Sequence, residues 1–200
     1  MKRQALSFVA GALALVAGLI LWTAATAGPA FPSLTGRVVD DANILSAPTK
    51  SALTTKLEAL EVKTARQLVV VTVTSLQGLA IEDYGYQLGR TWGIGEKGRN
   101  DGVLLIVAPN ERRVRIEVGY GLEGVLTDAL STVILQAQVL PKFRTGNFEG
   151  GVVAGSDALI EQLSLPDDQA KARVAASAED QKSPSGSYPF ILFGFLGYGK

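Results

Sequence analysis

Neither cysteine nor histidine occurs among the 200 residues of this chain. Without cysteine there is no disulfide, no thiolate nucleophile and no cysteine-type zinc site. Without histidine there is no Ser-His-Asp triad, no histidine phosphatase chemistry and little means of holding a transition metal. Net charge is missing too, with 19 Lys+Arg against 19 Asp+Glu. Setting aside residues 1–27, which carry Lys2 and Arg3 and no acid, leaves a formal charge of −2. That is not the basic footprint of a nucleic-acid binder. There is no EF-hand loop, no D-x-D pair and no Walker lysine motif. Any chemistry must rest on carboxylates, hydroxyls, Lys/Arg, or a hard cation held by oxygens.

What is present begins with an address. Lys2 and Arg3 precede an apolar run, Ala5 to Thr23, broken only by Ser7 and glycines, and Ala25-Thr26-Ala27 follows. A basic start, an apolar centre and a small-x-small end describe a signal peptide, residues 1–27, cleaved after Ala27. A retained anchor is the alternative, because the run is about long enough to span a bilayer. Either way the remainder is expected to be exported, to a periplasmic or other extracytoplasmic place, in association with a membrane. At the other end, residues 166–188 are rich in Asp, Ala, Lys, Gln and Ser and read as a flexible linker, with extension of the last helix into its early part as the alternative. Residues 189–200 turn abruptly hydrophobic but are too few to cross a bilayer. They read as the start of a truncated transmembrane helix, with docking on the domain or contact with a membrane as the alternatives.

Between these ends, residues 34–165 read as one α/β domain. Val103-Leu104-Leu105-Ile106-Val107 has no polar face, as an inner strand covered on both sides has none. A turn follows at Ala108 to Arg112. Val114, Ile116 and Val118 then alternate with Arg113, Arg115 and Glu117. This is a hairpin, and it returns Asn100 and Asp101 to the side of Gly119-Tyr120-Gly121-Leu122-Glu123-Gly124. Before it, Thr35 to Val39 reads as a short strand, and a helix capped near Ser46 carries Leu53, Leu57, Leu60 and Val62. Gln67 to Thr74 reads as a buried strand. Ile81 to Trp92 reads as a helix opened by Glu82 and Asp83. After the hairpin come helices at Val125 to Val139, with Leu126, Leu130, Val133, Ile134 and Ala137 inward, and at Phe148 to Leu163, capped by Asn147. A right-handed parallel crossover between residues 67 and 107, with the antiparallel strand added, makes a small mixed sheet between two layers of helices. The fold class is a three-layer α/β/α sandwich.

Two stretches fit G-x-G-x-x-G, at 93–98 and 119–124. The first follows a helix and precedes a strand, the wrong order for a dinucleotide site. The second lies on a hairpin arm with no βαβ unit beyond it, so no nucleotide cofactor is expected. Its glycines serve either tight packing or a helix N-terminus that faces an anion-metal pair. Asn100, Asp101, Glu123 and Asp128 fall near the same sheet end, and oxygens of this kind suit Ca²⁺ or Mg²⁺. Each has a plainer reading beside it: Asp101 as a turn acid, Asp128 as a first-turn helix acid. Asp41 follows the first strand, which puts it near the opposite end of the parallel strands, as a cap or turn residue unless the entry segment crosses. Arg113 and Arg115 read as a solvated or ion-paired face.

In order along the chain stand Val38-Val39-Asp40-Asp41-Ala42, Ile81-Glu82-Asp83-Tyr84, Trp92-Gly93-Ile94-Gly95, Asn100-Asp101-Gly102-Val103-Leu104-Leu105 and Arg115 to Gly124. Together they resemble the TPM domain, the family of thylakoid-lumen phosphatase-like proteins and their bacterial relatives, over Leu34 to about Leu165. The resemblance implies an α/β/α sandwich and a divalent-cation site, with Asp41, Asn100, Asp101, Glu123 and Asp128 as its candidate ligands. It implies acid phosphatase activity for some members and an accessory or partner-binding role in membranes for others. The expectation is therefore an exported, membrane-tethered module that binds Ca²⁺ or Mg²⁺ and a cell-envelope protein partner. The alternative is a metal-dependent phosphomonoesterase working through the same acidic loops, by metal-activated water.

Overall fold

A computed structural model describes residues 28–95 and 98–182. The expected signal peptide and the hydrophobic segment at 189–200 lie outside the described residues. Strand β1 (Val38–Asp40) leads to helix α1 (Ala47–Thr64), strand β2 (Gln67–Thr72) and helix α2 (Ile81–Trp92). The hairpin of β3 (Gly102–Ala108) and β4 (Arg113–Val118) follows. Helices α3 (Asp128–Ile134), α4 (Leu140–Arg144), α5 (Phe148–Ser164) and α6 (Asp167–Lys182) complete the chain. The sheet order is β1-β2-β3-β4, parallel except for the antiparallel β3–β4 pair, in which Leu105 faces Ile116.

The period-2 alternation along each strand divides the core in two. Leu68, Val70, Val103, Leu105, Val107 and Ile116 face α1 and the helices that follow the hairpin. Val69, Val71, Leu104, Ile106 and Ala108 face α2, where Tyr84 and Leu88 are buried. Every residue of β3 is buried, as its unbroken apolar run requires. Three layers result, in agreement with the expected α/β/α sandwich. On the polar side of β4, Arg115 donates to Glu117 at 2.7 Å and lies 4.0 Å from Glu82, so that face is ion-paired. The entry segment packs on α2. Phe31 meets the Tyr84 ring edge-on at 5.1 Å, and Trp92 Nε1 donates to the Pro32 carbonyl at 2.9 Å.

Helix α1 starts where the capping signal puts it. Ser46 is its N-cap, Pro48 lies in its first turn, and Leu53, Leu57 and Leu60 form its buried stripe. Val62, read as a member of that stripe, is 90% exposed. It falls about 200° around the helix from Leu60, on the solvent side. Glu149, at the start of α5, ties the two helices by accepting from the Ser46 backbone N–H at 2.8 Å. Side-chain hydrogen bonds from Ser46 and Thr49, with that backbone bond, hold the Glu149 carboxyl down at about 2. A carboxyl depressed by folding stabilises the native state above its unfolded value of about 4.3, and that contribution is lost as pH falls toward the folded value. Chemical denaturation of the Glu149→Gln variant should therefore show a deficit against the parent at pH 6 that shrinks steadily between pH 5 and pH 2.

Two expectations change. The helix expected over Val125 to Val139 begins at Asp128 and passes into a π-helical turn, Leu135–Val139, before α4. Pro141 in the first turn of α4 has no N–H to donate, and a wider turn before it absorbs the missing bond. The extra residue rotates the apolar face, so Ala137 is exposed and Val139 and Leu140 are buried in its place. The second change concerns the stretch read as a linker at 166–188. Residues 167–182 of it form α6, separated from α5 by the extended Leu165 and by Pro166. Its composition is polar, but alanine and charged straight-chain residues are strong helix formers. Ala170 is fully buried, and Arg66 holds the helix start through Asp167 at 2.5 Å and the Leu163 carbonyl at 2.7 Å. Among the described residues no helix is long and apolar enough to cross a membrane.

Candidate functional site

The five acidic and amide candidates separate into two places. The parallel strands run one way, so β2 and β3 begin beside Asn100 and Asp101, and β4 returns its end there. Asp41 follows β1 and sits where β2 finishes: its N–H donates to the Thr72 carbonyl at 3.1 Å. The length of β2, about 17 Å for its six residues, lies between Asp41 and Asp101. The entry segment does not cross to join them.

At the end where β3 begins, the hairpin brings the expected partners together, but through the backbone. Gly121 N–H donates to the Asn100 carbonyl at 3.1 Å, and Gly119 N–H to the Gly102 carbonyl at 2.8 Å. A Cβ on Gly119 would collide with the Asn100 carbonyl oxygen, and one on Gly121 with that of Arg99. These glycines are there because two chain segments touch. The loop is a 3-10 turn, Tyr120–Leu122, and does not open the following helix, whose N-cap is Thr127 accepting from Leu130 N–H. Asn100 is left-handed, with φ of 52°. Asp101 is buried and paired with Arg99 Nε at 2.8 Å, which satisfies one of its oxygens with a cation already. Glu123 and Asp128 are exposed, and Asp128 occupies the first turn of α3, where a helix dipole favours an acid. Among the described residues no three or more acidic side chains cluster closely enough to hold a metal ion by themselves.

The opposite end collects the loops after β1, β2 and β3. Asp40, whose side chain is 2% exposed, accepts from the Ile44 N–H at 3.1 Å, the Leu45 N–H at 3.2 Å and the Thr72 hydroxyl at 2.7 Å, with Lys50 Nζ at 3.4 Å. Asp41 accepts from the Thr74 N–H and hydroxyl at 3.1 and 3.0 Å. Glu111, in the hairpin turn, accepts from the Leu76 N–H at 2.8 Å, and Asn110 donates to the Thr74 carbonyl at 2.8 Å. Burial first, then the negative charges of Asp41 and Glu111, push the Tyr84 phenol up to about 12. Asp41 and Glu111 thus act on one hydroxyl from two separate loops. In the sequence Ala108 to Arg112 carries only turn chemistry, and nothing local singles out Glu111. The strand directions carried the signal, since β1 and β3 are parallel and their following loops share an end. In open α/β sheets this is the end at which ligands bind.

Comparison with known proteins fits this architecture. The family model of the TPM domain matches residues 38–162. Two UPF0603 proteins from Mycobacterium tuberculosis strains are 29% identical over 145 residues, which is 72% of this chain. The chain spans only 21% of the length of these relatives. Among solved structures, the N-terminal domain of a Porphyromonas gingivalis protein is 37% identical with a TM-score of 0.61, covering 64% of this chain and 82% of that one. The N-terminal domain of a Corynebacterium glutamicum protein shares the fold at 18% identity and a TM-score of 0.52, over 70% of this chain and 86% of that one.

Proposed function

Because the chain belongs to the TPM domain family, we propose that it is an exported, membrane-tethered binding module whose acidic loops take a divalent cation and present it to a protein partner in the cell envelope. One observation carries the reading: Asp41 and Glu111, from different loops, both accept from the loop after β2, Asp41 from the Thr74 N–H and hydroxyl and Glu111 from the Leu76 N–H. Two carboxylates held in place by backbone N–H groups repel each other, and a hard cation between them relieves that repulsion. Backbone carbonyls, hydroxyls and water would complete the shell of Ca²⁺ or Mg²⁺. With only two carboxylates the affinity should be low, in the range of roughly 10⁻⁴–10⁻³ M typical of extracellular calcium modules. A bound cation would link the loops that follow β1 and β3, which is how it would shape a surface for a partner. The basic, apolar and small-residue order at 1–27 supports export.

The test is a titration of the chain with Ca²⁺ and Mg²⁺, following backbone amide shifts. Saturable shifts centred on Asp41–Asn43, Thr74–Leu76 and Asn110–Arg112, and their loss in Asp41→Asn/Glu111→Gln, are expected. Shifts centred on Asn100–Asp101 and Gly119–Asp128 would move the site to the other sheet end. None at 10 mM ion, about ten times the weaker limit above, would remove the cation from the reading. A metal-dependent phosphomonoesterase is the competing function, and turnover that the same double variant abolishes would establish it.

A further inference from the structure

Beside the hairpin turn, a cleft of about 430 Å³ opens between the tip of β3 and the loop joining α4 to α5. Its apolar lining includes Ala108, Phe143 and Phe148, and its polar edge carries Arg112, Arg113 and Arg144. The two rings lie 5.1 Å apart and tilted by 53°, which leaves an aromatic wall rather than a filled stack. The loop beneath them is closed by backbone hydrogen bonds. Asn147 N–H donates to the Lys142 carbonyl and Gly146 N–H to the Phe143 carbonyl, both at 3.0 Å, with Gly146 at φ of 78°. These are the two hydrogen bonds of a Schellman cap.

Two of these arginines stand out. Arg113 and Arg144 are exposed and have no carboxylate at ion-pair distance among the described residues. Three guanidinium groups around one opening stand out in a chain whose charges otherwise balance. Lys142, in the last turn of α4, adds a fourth cation nearby. Arginine is the residue suited to planar, bidentate recognition of carboxylate and phosphate groups. An aromatic wall with a cationic rim therefore selects a ligand with an apolar body and an anionic head.

We infer that this cleft binds a small organic anion with an aromatic or branched apolar body, such as a carboxylate or phosphate monoester. Its size favours a free small molecule over a folded partner. A volume of this order is typical of small-molecule sites, whereas a stable protein interface needs about 800 Å² on each side. Its place beyond the carboxyl end of β3 is also where open α/β sheets receive ligands. Phe143 and Phe148 belong to the core under α1 and α5, whereas Ala108 shares the core under α2 with Tyr84, so the cleft flanks the same hairpin turn as the acidic loops but is lined by rings and arginines in place of Asp41 and Glu111.

The experiment titrates the full chain with 8-anilinonaphthalene-1-sulfonate, an aromatic organic anion, by calorimetry and amide shifts, with and without EDTA. One saturable site is expected, with shifts centred on Phe143–Phe148 and Arg113 that EDTA leaves unchanged. The double variant Arg113→Gln/Arg144→Gln should weaken binding at least tenfold at an unaltered unfolding midpoint. The neutral N-phenyl-1-naphthylamine should bind the parent at least tenfold more weakly. Absence of saturable binding, shifts centred elsewhere, equal affinity for the neutral probe, or an undiminished double variant would each overturn the inference. Because EDTA removes any cation, its failure and that of the cation reading are told apart.

Discussion

Gly121→Ala is expected to cost about 3 kcal/mol, the upper part of the range for forced overpacking. In a domain of this size that lowers the thermal midpoint by roughly 10 °C. An added Cβ at this position falls on the Arg99 carbonyl oxygen, with the Asn100 carbonyl oxygen 3.2 Å away. Neither can rotate aside as the end of a flexible side chain can. Asn100 is itself held in the left-handed region and accepts from the Gly121 N–H, so relief must come from parting the two segments. Parting them exposes the buried Asp101 and frays the start of β3. Gly124→Ala is the control, because the nearest atom to its added Cβ is the flexible Lys171 side chain at 3.6 Å. Thermal unfolding followed by circular dichroism checks the pair. A Gly121→Ala midpoint within 2 °C of the parent would show that this loop yields, and would reopen a ligand-cradling role for its glycines.

The second large effect belongs to Asp40. Removal of its side chain in Asp40→Ala strands the Ile44 and Leu45 N–H groups and the Thr72 hydroxyl and takes the counter-charge from Lys50. Breaking a buried, hydrogen-bonded charge network costs about 3–5 kcal/mol. Lys50→Ala should cost under about 1 kcal/mol, since Lys50 is 39% exposed and its contact is long at 3.4 Å. The asymmetry is the point. If Asp40 served mainly as a salt-bridge partner the two losses would be comparable, whereas if it organises the β1–α1 turn they differ by several-fold. Urea denaturation at constant m-value measures both.

Asp40 and Asp41 illustrate how adjacent acids divide their work. Asp40 turns inward and closes the turn into α1. Asp41 turns outward toward Thr74 and, with Glu111, acts on Tyr84. The pair thus couples the integrity of the fold to the loops proposed to take a cation. A variant at Asp40 will disturb the site through the fold, so cation binding is best judged at Asp41 and Glu111.

Several parts of this architecture were legible from residue order alone. Ser46 and Pro48 marked the start of α1, Asn147 marked the start of α5, and the unbroken Val103–Val107 run marked a strand covered on both faces. Strand direction likewise separated Asp41 from Asn100 and Asp101. These features rest on local chemistry: a cap, a period of 2 or 3.6, a turn. Three things depended on contacts remote in sequence. Polar composition at 167–182 hides a helix, because one buried alanine and the grip of Arg66 decide its docking. Pro141 does not reveal whether a helix ends or widens; that depends on Val139 and Phe143 packing against the glycine face of α5. Glu111 reads as a turn residue until β2 and α2 bring Leu76 and Tyr84 to it. Periodicity and capping act over one or two turns of chain, so the sequence by itself determined the elements and the sheet end of each loop. Which carboxylates meet, and which are already occupied by an arginine or a backbone N–H, was decided only by tertiary packing, because those partners lie tens of residues away.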